Sequence, residues 1–202
     1  MKIPLTPVIL AAALTLVPGA VFAESAAKLY SRHCSECHGE EGRGGKAPAL
    51  NKEGLLRTVG LTYLVNTITI GRPLRGCPAN GGSIAPEEIK AIALYVKGWQ
   101  KGGMLEAPER DVEPGKTPRG EDLFTLCGGC HGLEGEGAMG PPLLDPGFLA
   151  SVSDTELRRT IMWGRPGTPM KGYLKGGGGL ATLTEEEIDE IIAYIRYREK
   201  GL

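Results

Sequence analysis

The chain is short of several things that would otherwise decide its chemistry. It has three histidines and five cysteines in 202 residues. That is too few histidines for a zinc site that pairs distant imidazoles with thiols. Lys and Arg never gather into a basic stripe, and 23 basic against 24 acidic residues leave a formal net charge of −1, so there is no footprint for nucleic acid. Beyond the first two dozen residues no apolar run is long enough to span a bilayer. Alternating strand patterns are scarce, while 31 Gly and 15 Pro point to helices joined by long loops.

The first 23 residues read as an export signal. Lys2 precedes an apolar run from Val8 to Val17, and small residues lead to Val21, Phe22 and Ala23, where cleavage is expected. No Cys stands at that point to carry a lipid, so the protein is expected in the periplasm with no membrane span after cleavage.

What remains is a tandem repeat. Cys34, Ser35, Glu36, Cys37, His38 recurs 93 residues later as Cys127, Gly128, Gly129, Cys130, His131. Gly71, Arg72, Pro73 recurs at the same separation as Gly164, Arg165, Pro166. Two thiols and an imidazole at this spacing are what covalent haem attachment requires: the thiols add to two vinyl groups, and the adjacent imidazole reaches the iron. The organisation expected is a signal at 1–23, a first domain at 24–104, a linker at 105–117 and a second domain at 118–202. Domains of this size have little core of their own, and a covalently held apolar plate serves as the staple.

The chain resembles diheme cytochromes c built from two class I cytochrome c domains, over nearly all of its length after the signal. The resemblance implies an all-α fold, with a few helices wrapped around one covalent haem c in each domain. It implies thioether attachment through Cys34 and Cys37, and through Cys127 and Cys130, with His38 and His131 as proximal iron ligands. It further implies that the carbonyls of Pro48 and Pro141 accept the Nδ1 protons of those histidines.

Helices are expected at 25–32, 62–70 and 86–97, and again at 120–126, 155–162 and 184–197, with Glu106 to Pro118 as an extended connector. His33 is an insertion relative to the second half, read as an edge residue rather than a ligand. Lys171 to Leu180 carries six extra residues, read as a flexible surface excursion.

The distal ligands differ between the halves. Met170 lies in the stiff turn after Gly164 and is the expected thioether ligand of the second haem, ahead of Met139 and Met162. The equivalent position in the first half is Cys77, the one cysteine left over, and that half holds no Met before Met104. Cys77 is therefore read as a thiolate ligand; a free thiol and an intermolecular disulfide are the competing readings. A thiolate lowers the reduction potential where a thioether raises it, so haem 1 is expected to be the low-potential centre and haem 2 the higher. Arg72 and Arg165 are candidates for haem propionates, with solvated side chains as the bland alternative.

Two six-coordinate irons leave no open site for a substrate. The function expected is single-electron transfer between other redox proteins of the periplasm or the membrane respiratory chain. The alternative is a sulfur-oxidising enzyme such as a diheme thiosulfate dehydrogenase, with catalysis at the Cys-ligated haem. Residues 24–104 carry 11 basic and 7 acidic side chains and residues 118–202 carry 9 and 13, so the halves either attract each other or face different partners.

Overall fold

A computed structural model describes residues 24–201; the expected export signal lies outside the described residues. Among the described residues every regular element is helical and no strand forms, in keeping with the all-α expectation. In the first half, α1 (Ala26–His33) starts at Ser25, whose side chain accepts from Lys28 N, and buries Leu29 and Tyr30. The chain leaves helical geometry at Cys34 (φ −127°) and resumes as α2 (Ser35–His38). The second half does the same work without a break, in the 14-residue α6 (Pro118–His131). The extra residue near His33 explains the difference. One residue turns a helix by about 100°, so the first half must reset at Cys34 to aim its two thiols as the second half aims its own.

Two short helices follow the motif in the first half, α3 (Glu53–Leu56) and then α4 (Leu61–Ile70). Next comes α5 (Pro86–Lys97), where Pro86 opens the first turn, Glu88 reaches back to Ala85 N at 3.2 Å, and Ile89, Ile92, Ala93 and Val96 are buried. α5 packs on α1 and α4. At its crossing with α1, Tyr30, Tyr95 and Trp99 form an aromatic triad with ring centroids 5.1–5.7 Å apart. Trp99 fills the place where a side chain on Gly42 would stand: an added Cβ would meet its ring at 2.4 Å, and Gly42 has φ +69°. Gly42→Ala combines a positive-φ penalty of about 1–2 kcal/mol with overpacking of about 1–3 kcal/mol. A clear loss of stability is expected in urea unfolding, with the second half's transition unchanged.

In the second half α6 is followed by α7 (Pro146–Ser151), α8 (Asp154–Trp163) and α9 (Glu185–Glu199). Ile188, Ile191, Ile192 and Ile195 line the buried face of α9, which packs on α6 and α8. Ser153 with Glu156, and Thr184 with Glu187, close capping boxes at the starts of α8 and α9. α3 and α7 were not expected from the sequence. For α7 the signal was there to read, with Asp145 as N-cap and Pro146 in the first turn.

The connector is extended, as expected, but it is strapped down. Arg158 of α8, 0% exposed, donates from Nη1 to Pro108 O and Arg110 O at 3.0 Å each, and its Nε pairs with Asp189 at 2.6 Å. Asp154 accepts from Val112 N at 2.8 Å, and Trp163 Nε1 donates to Glu106 O. Arg158→Ala strands two carbonyls and part of an ion pair; a loss of about 3–5 kcal/mol is expected on denaturant titration, with faster proteolysis inside 105–117.

The six-residue excursion is likewise held rather than free, which corrects the sequence reading. Tyr173 N donates to Ile161 O at 2.9 Å, Leu183 N to Tyr173 O at 2.8 Å, and Gly179 N to Gly172 O at 3.0 Å. The reason is that Tyr173 supplies a half-buried ring, whose hydroxyl reaches Leu126 O at 3.2 Å, and this ties the loop back to α6.

The two halves meet reciprocally. A Cβ on Gly54 of α3 would meet Pro166 O at 2.3 Å, and one on Gly147 of α7 would meet Gly71 O at 2.6 Å. Gly54 and Gly147 are 93 residues apart, as are Gly71 and Gly164. The Gly-Arg-Pro turn of each half thus rests on a glycine of the other half's short helix, the self-complementary contact of a two-fold relation. Glu156 Oε1 also accepts from Gly60 N at 2.7 Å, and Arg159 Nη1 donates to Thr58 O at 3.1 Å. Beside them Lys97 donates to Leu56 O and Val59 O at 2.5 Å, its pKa lowered by burial first and by Arg159 second. Among the described residues no ion pair joins 24–104 to 118–202.

Candidate haem-binding sites

Cys127 and Cys130 share one face of α6, three residues apart, whereas in the first motif Cys34 stands at the break before α2 and Cys37 lies on α2. The loop after each motif is strapped to it by the same bonds in both halves. Gly44 N donates to His38 O and Gly137 N to His131 O, both at 2.7 Å. Ala47 N donates to Cys37 O at 2.8 Å, and Gly140 N to Cys130 O at 2.7 Å. Gly39 (φ +74°) and Gly132 (φ +84°) turn the chain directly after the two histidines, in a region where a side chain is strained.

That strapping delivers a carbonyl to each imidazole. His38 Nδ1 lies 2.8 Å from Pro48 O, and His131 Nδ1 lies 2.7 Å from Pro141 O. A carbonyl only accepts, so Nδ1 carries the proton and Nε2 keeps its lone pair. His131 is held more tightly than His38: it is 8% exposed, and Gly140 backs its ring so closely that an added Cβ would stand 2.8 Å from Cε1 and Nδ1. His33 is exposed, as its reading as an edge residue requires.

The Gly-Arg-Pro turns carry the candidate distal sulfurs. Arg72 N donates to Cys77 O at 2.8 Å and Cys77 N to Arg72 O at 3.1 Å, which leaves the Cys77 side chain half-buried. In the second half Arg165 N donates to Met170 O at 2.9 Å, and Thr168 Oγ1 accepts from Met170 N at 3.2 Å. Of the rival methionines, Met162 is 4% exposed inside the α8 core and Met139 is 76% exposed.

As a free thiol Cys34 is pushed up to about 11, by burial first and then by the charges of Cys77 and Cys37. Cys127 is likewise raised to about 11, by burial and then by Cys130. Tyr173 is raised by burial and then by Cys127 and Cys130, which places its hydroxyl at the second cleft. The sequence reading had missed Tyr173 there.

Arg72 is engaged by residues of both halves. Its guanidinium lies 5.4 Å from the Tyr63 ring and 5.0 Å from the Phe148 ring, and Nη2 donates to Tyr63 OH at 2.8 Å and Thr67 Oγ1 at 3.2 Å. Two aromatic rings outcompete water for a weakly hydrated planar cation.

Comparison with known proteins agrees with this duplicated geometry. Residues 22–96 match the family of cbb3-type cytochrome c oxidase subunit III, and residues 118–199 match the cytochrome c family. Cytochrome c-L of Methylorubrum extorquens is 30% identical over 148 residues, which are 65% of this chain and 72% of that protein. The chain belongs to the cytochrome c family. It is a tandem diheme protein with two covalently bound haems c. This diheme cytochrome is also 31% identical over 142 residues to the Cbb3-type cytochrome c oxidase subunit CcoP of Rubrivivax gelatinosus, covering 68% of the cytochrome and 44% of the subunit. It therefore spans a little under half the length of that relative. Among solved structures, the Kuenenia stuttgartiensis reducing HAO-like protein complex contains a chain sharing the cytochrome's fold, with a TM-score of 0.54 and 21% identity over 86% of this chain and 94% of that one.

The residues present suit the cofactor. In each half a locked tautomer leaves one imidazole nitrogen free, two thiols three residues apart precede it in the chain, and the Gly-Arg-Pro turn carries a further sulfur. Among the described residues no helix is long and apolar enough to cross a membrane.

Proposed function

We propose that this protein is an exported, periplasmic carrier that passes single electrons between redox proteins, with the membrane respiratory chain at one end. The reading rests on the histidine seats, which the two halves build identically: Nδ1 on a proline carbonyl ten residues on, at 2.8 and 2.7 Å. Cys34 and Cys37 hold the first haem and Cys127 and Cys130 the second. The axial pairs are His38 with Cys77 and His131 with Met170. Each haem, when bound, supplies one iron that cycles between ferric and ferrous states and so holds one electron. The proline carbonyls keep each imidazole in the tautomer that binds metal and raise its donor strength. The Cys77 thiolate sets the first centre at a lower potential than the second. Likeness to CcoP supports a partner of the cytochrome oxidase class.

Spectroelectrochemical titration of the purified protein tests this. Two separate one-electron waves of equal amplitude are expected, the lower belonging to a low-spin thiolate-ligated haem. Two waves at matching high potential would refute the asymmetry, and turnover of thiosulfate with ferricyanide would favour the enzyme reading over the carrier.

A further inference from the structure

The turn that presents Cys77 is held from both domains, and the second domain's share falls on Arg72. The backbone of Arg72 exchanges both of its hydrogen bonds with Cys77, at 2.8 and 3.1 Å, so a shift of one residue moves the other. The Arg72 side chain extends away from that pair into a slot between Tyr63 of α4 and Phe148 of α7. One wall of the slot is therefore the first domain, and the other is the second. Gly71, directly before Arg72, rests its carbonyl on Gly147, next to Phe148. Three consecutive links thus run from α7 to the sulfur: Gly147 under Gly71, Phe148 over Arg72, and Arg72 paired with Cys77.

The other half has the glycine seat but not the clamp. At the repeat separation, Phe148 corresponds to Leu55, which has no ring, and Tyr63 corresponds to Glu156, which is engaged with Gly60 N and Ser153 N. The Met170 turn is closed locally instead, through Thr168 Oγ1. The cation between two rings is peculiar to the turn that carries the thiolate. A guanidinium held against aromatic faces is attracted by their quadrupoles, which favours the arrangement of the short loop that keeps it there.

We propose that Arg72 is a positioning residue through which the second domain sets the distal ligand of the first haem, Phe148 being the second domain's contact in that coupling. The proposal builds on the assignment of Cys77 as axial ligand. Removing the Phe148 ring, more than 70 residues away in sequence from Cys77, then alters haem 1 and leaves haem 2 as it was.

The test uses the full diheme protein with Phe148→Leu, Arg72→Lys and Arg72→Leu, read by electron paramagnetic resonance of the ferric state and by the potential of each haem. In the wild type a single low-spin thiolate species is expected. Phe148→Leu and Arg72→Leu are expected to split it or lose a measurable fraction of it and to move the haem 1 potential. The haem 2 wave and the count of two bound haems should stay fixed. Arg72→Lys keeps a cation over the rings without the planar fork and is expected to fall between wild type and Arg72→Leu. A thiolate signal and haem 1 potential unchanged in both Leu variants would overturn the proposal while leaving Cys77 ligation intact. A wild-type spectrum without thiolate character would instead remove the ligand assignment on which it stands. Equal shifts of both haems would show general loosening of the interface and would also overturn it.

Discussion

Cys77→Met is expected to raise the potential of the first haem by a large part of the difference between the two centres and to abolish the low-spin thiolate signal. The substitution makes the first half match the second at the distal position, as Met170 stands 93 residues on from Cys77. A thiolate donates charge to iron and stabilises the ferric state; a thioether donates weakly and favours the ferrous state. Axial ligands span about 0.8 V of potential in haem proteins, so the shift is large against the error of a redox titration. The turn should accept the longer side chain, because Gly76 (φ +74°) has open space around it and Cys77 is half-buried. Two nearly coincident high-potential waves are the result expected. If the thiolate signal survives the exchange, the sulfur on iron is another one.

Removing both thiols of one motif has the largest structural consequence. In Cys127→Ala/Cys130→Ala the intact mass of the mature protein should drop by one covalent haem, and helical dichroism should fall by roughly the share that α6, α7, α8 and α9 contribute. A domain of about 80 residues buries too little apolar surface to hold itself together without a staple. In the second half the cofactor is also what gives buried His131 a purpose, since the imidazole is packed against Gly140 with only Nε2 free. The first domain should keep its haem and its thiolate spectrum, broadened because the Phe148 wall is lost. A protein that retained full helicity with one haem would show that the isoleucines of α9 and their neighbours suffice alone. Paired with Gly42→Ala and Arg158→Ala, these variants separate the contributions of cofactor, aromatic triad and strapped connector.

The duplicated motif and the three longer helices of each half could be read from the chain, because each depends on residues near in sequence, and the proline seats followed from the family resemblance those motifs carry. A Cys-x-x-Cys-His pentapeptide brings its own thiols and imidazole together within five residues, and Pro48 and Pro141 lie only ten residues beyond their histidines. Pro86 with Glu88, and Thr184 with Glu187, mark helix starts by local bonds alone. The four-residue α3 and six-residue α7 were not legible in this way, since helices so short depend on tertiary packing more than on propensity.

What the sequence by itself determined about this protein is its duplicated chemistry: two Cys-x-x-Cys-His motifs for two covalently bound haems c, with Cys77 standing where the repeat places Met170. Tertiary structure alone decided how the halves share a boundary. That Phe148, from the other repeat, stands over Arg72 and that the Tyr173 hydroxyl reaches Leu126 O are both visible only in the folded chain. The physical reason is separation along the chain. Contacts between residues 47 (Leu126 and Tyr173) or 76 (Arg72 and Phe148) positions apart depend on tertiary packing, which no local pattern of spacing or capping encodes.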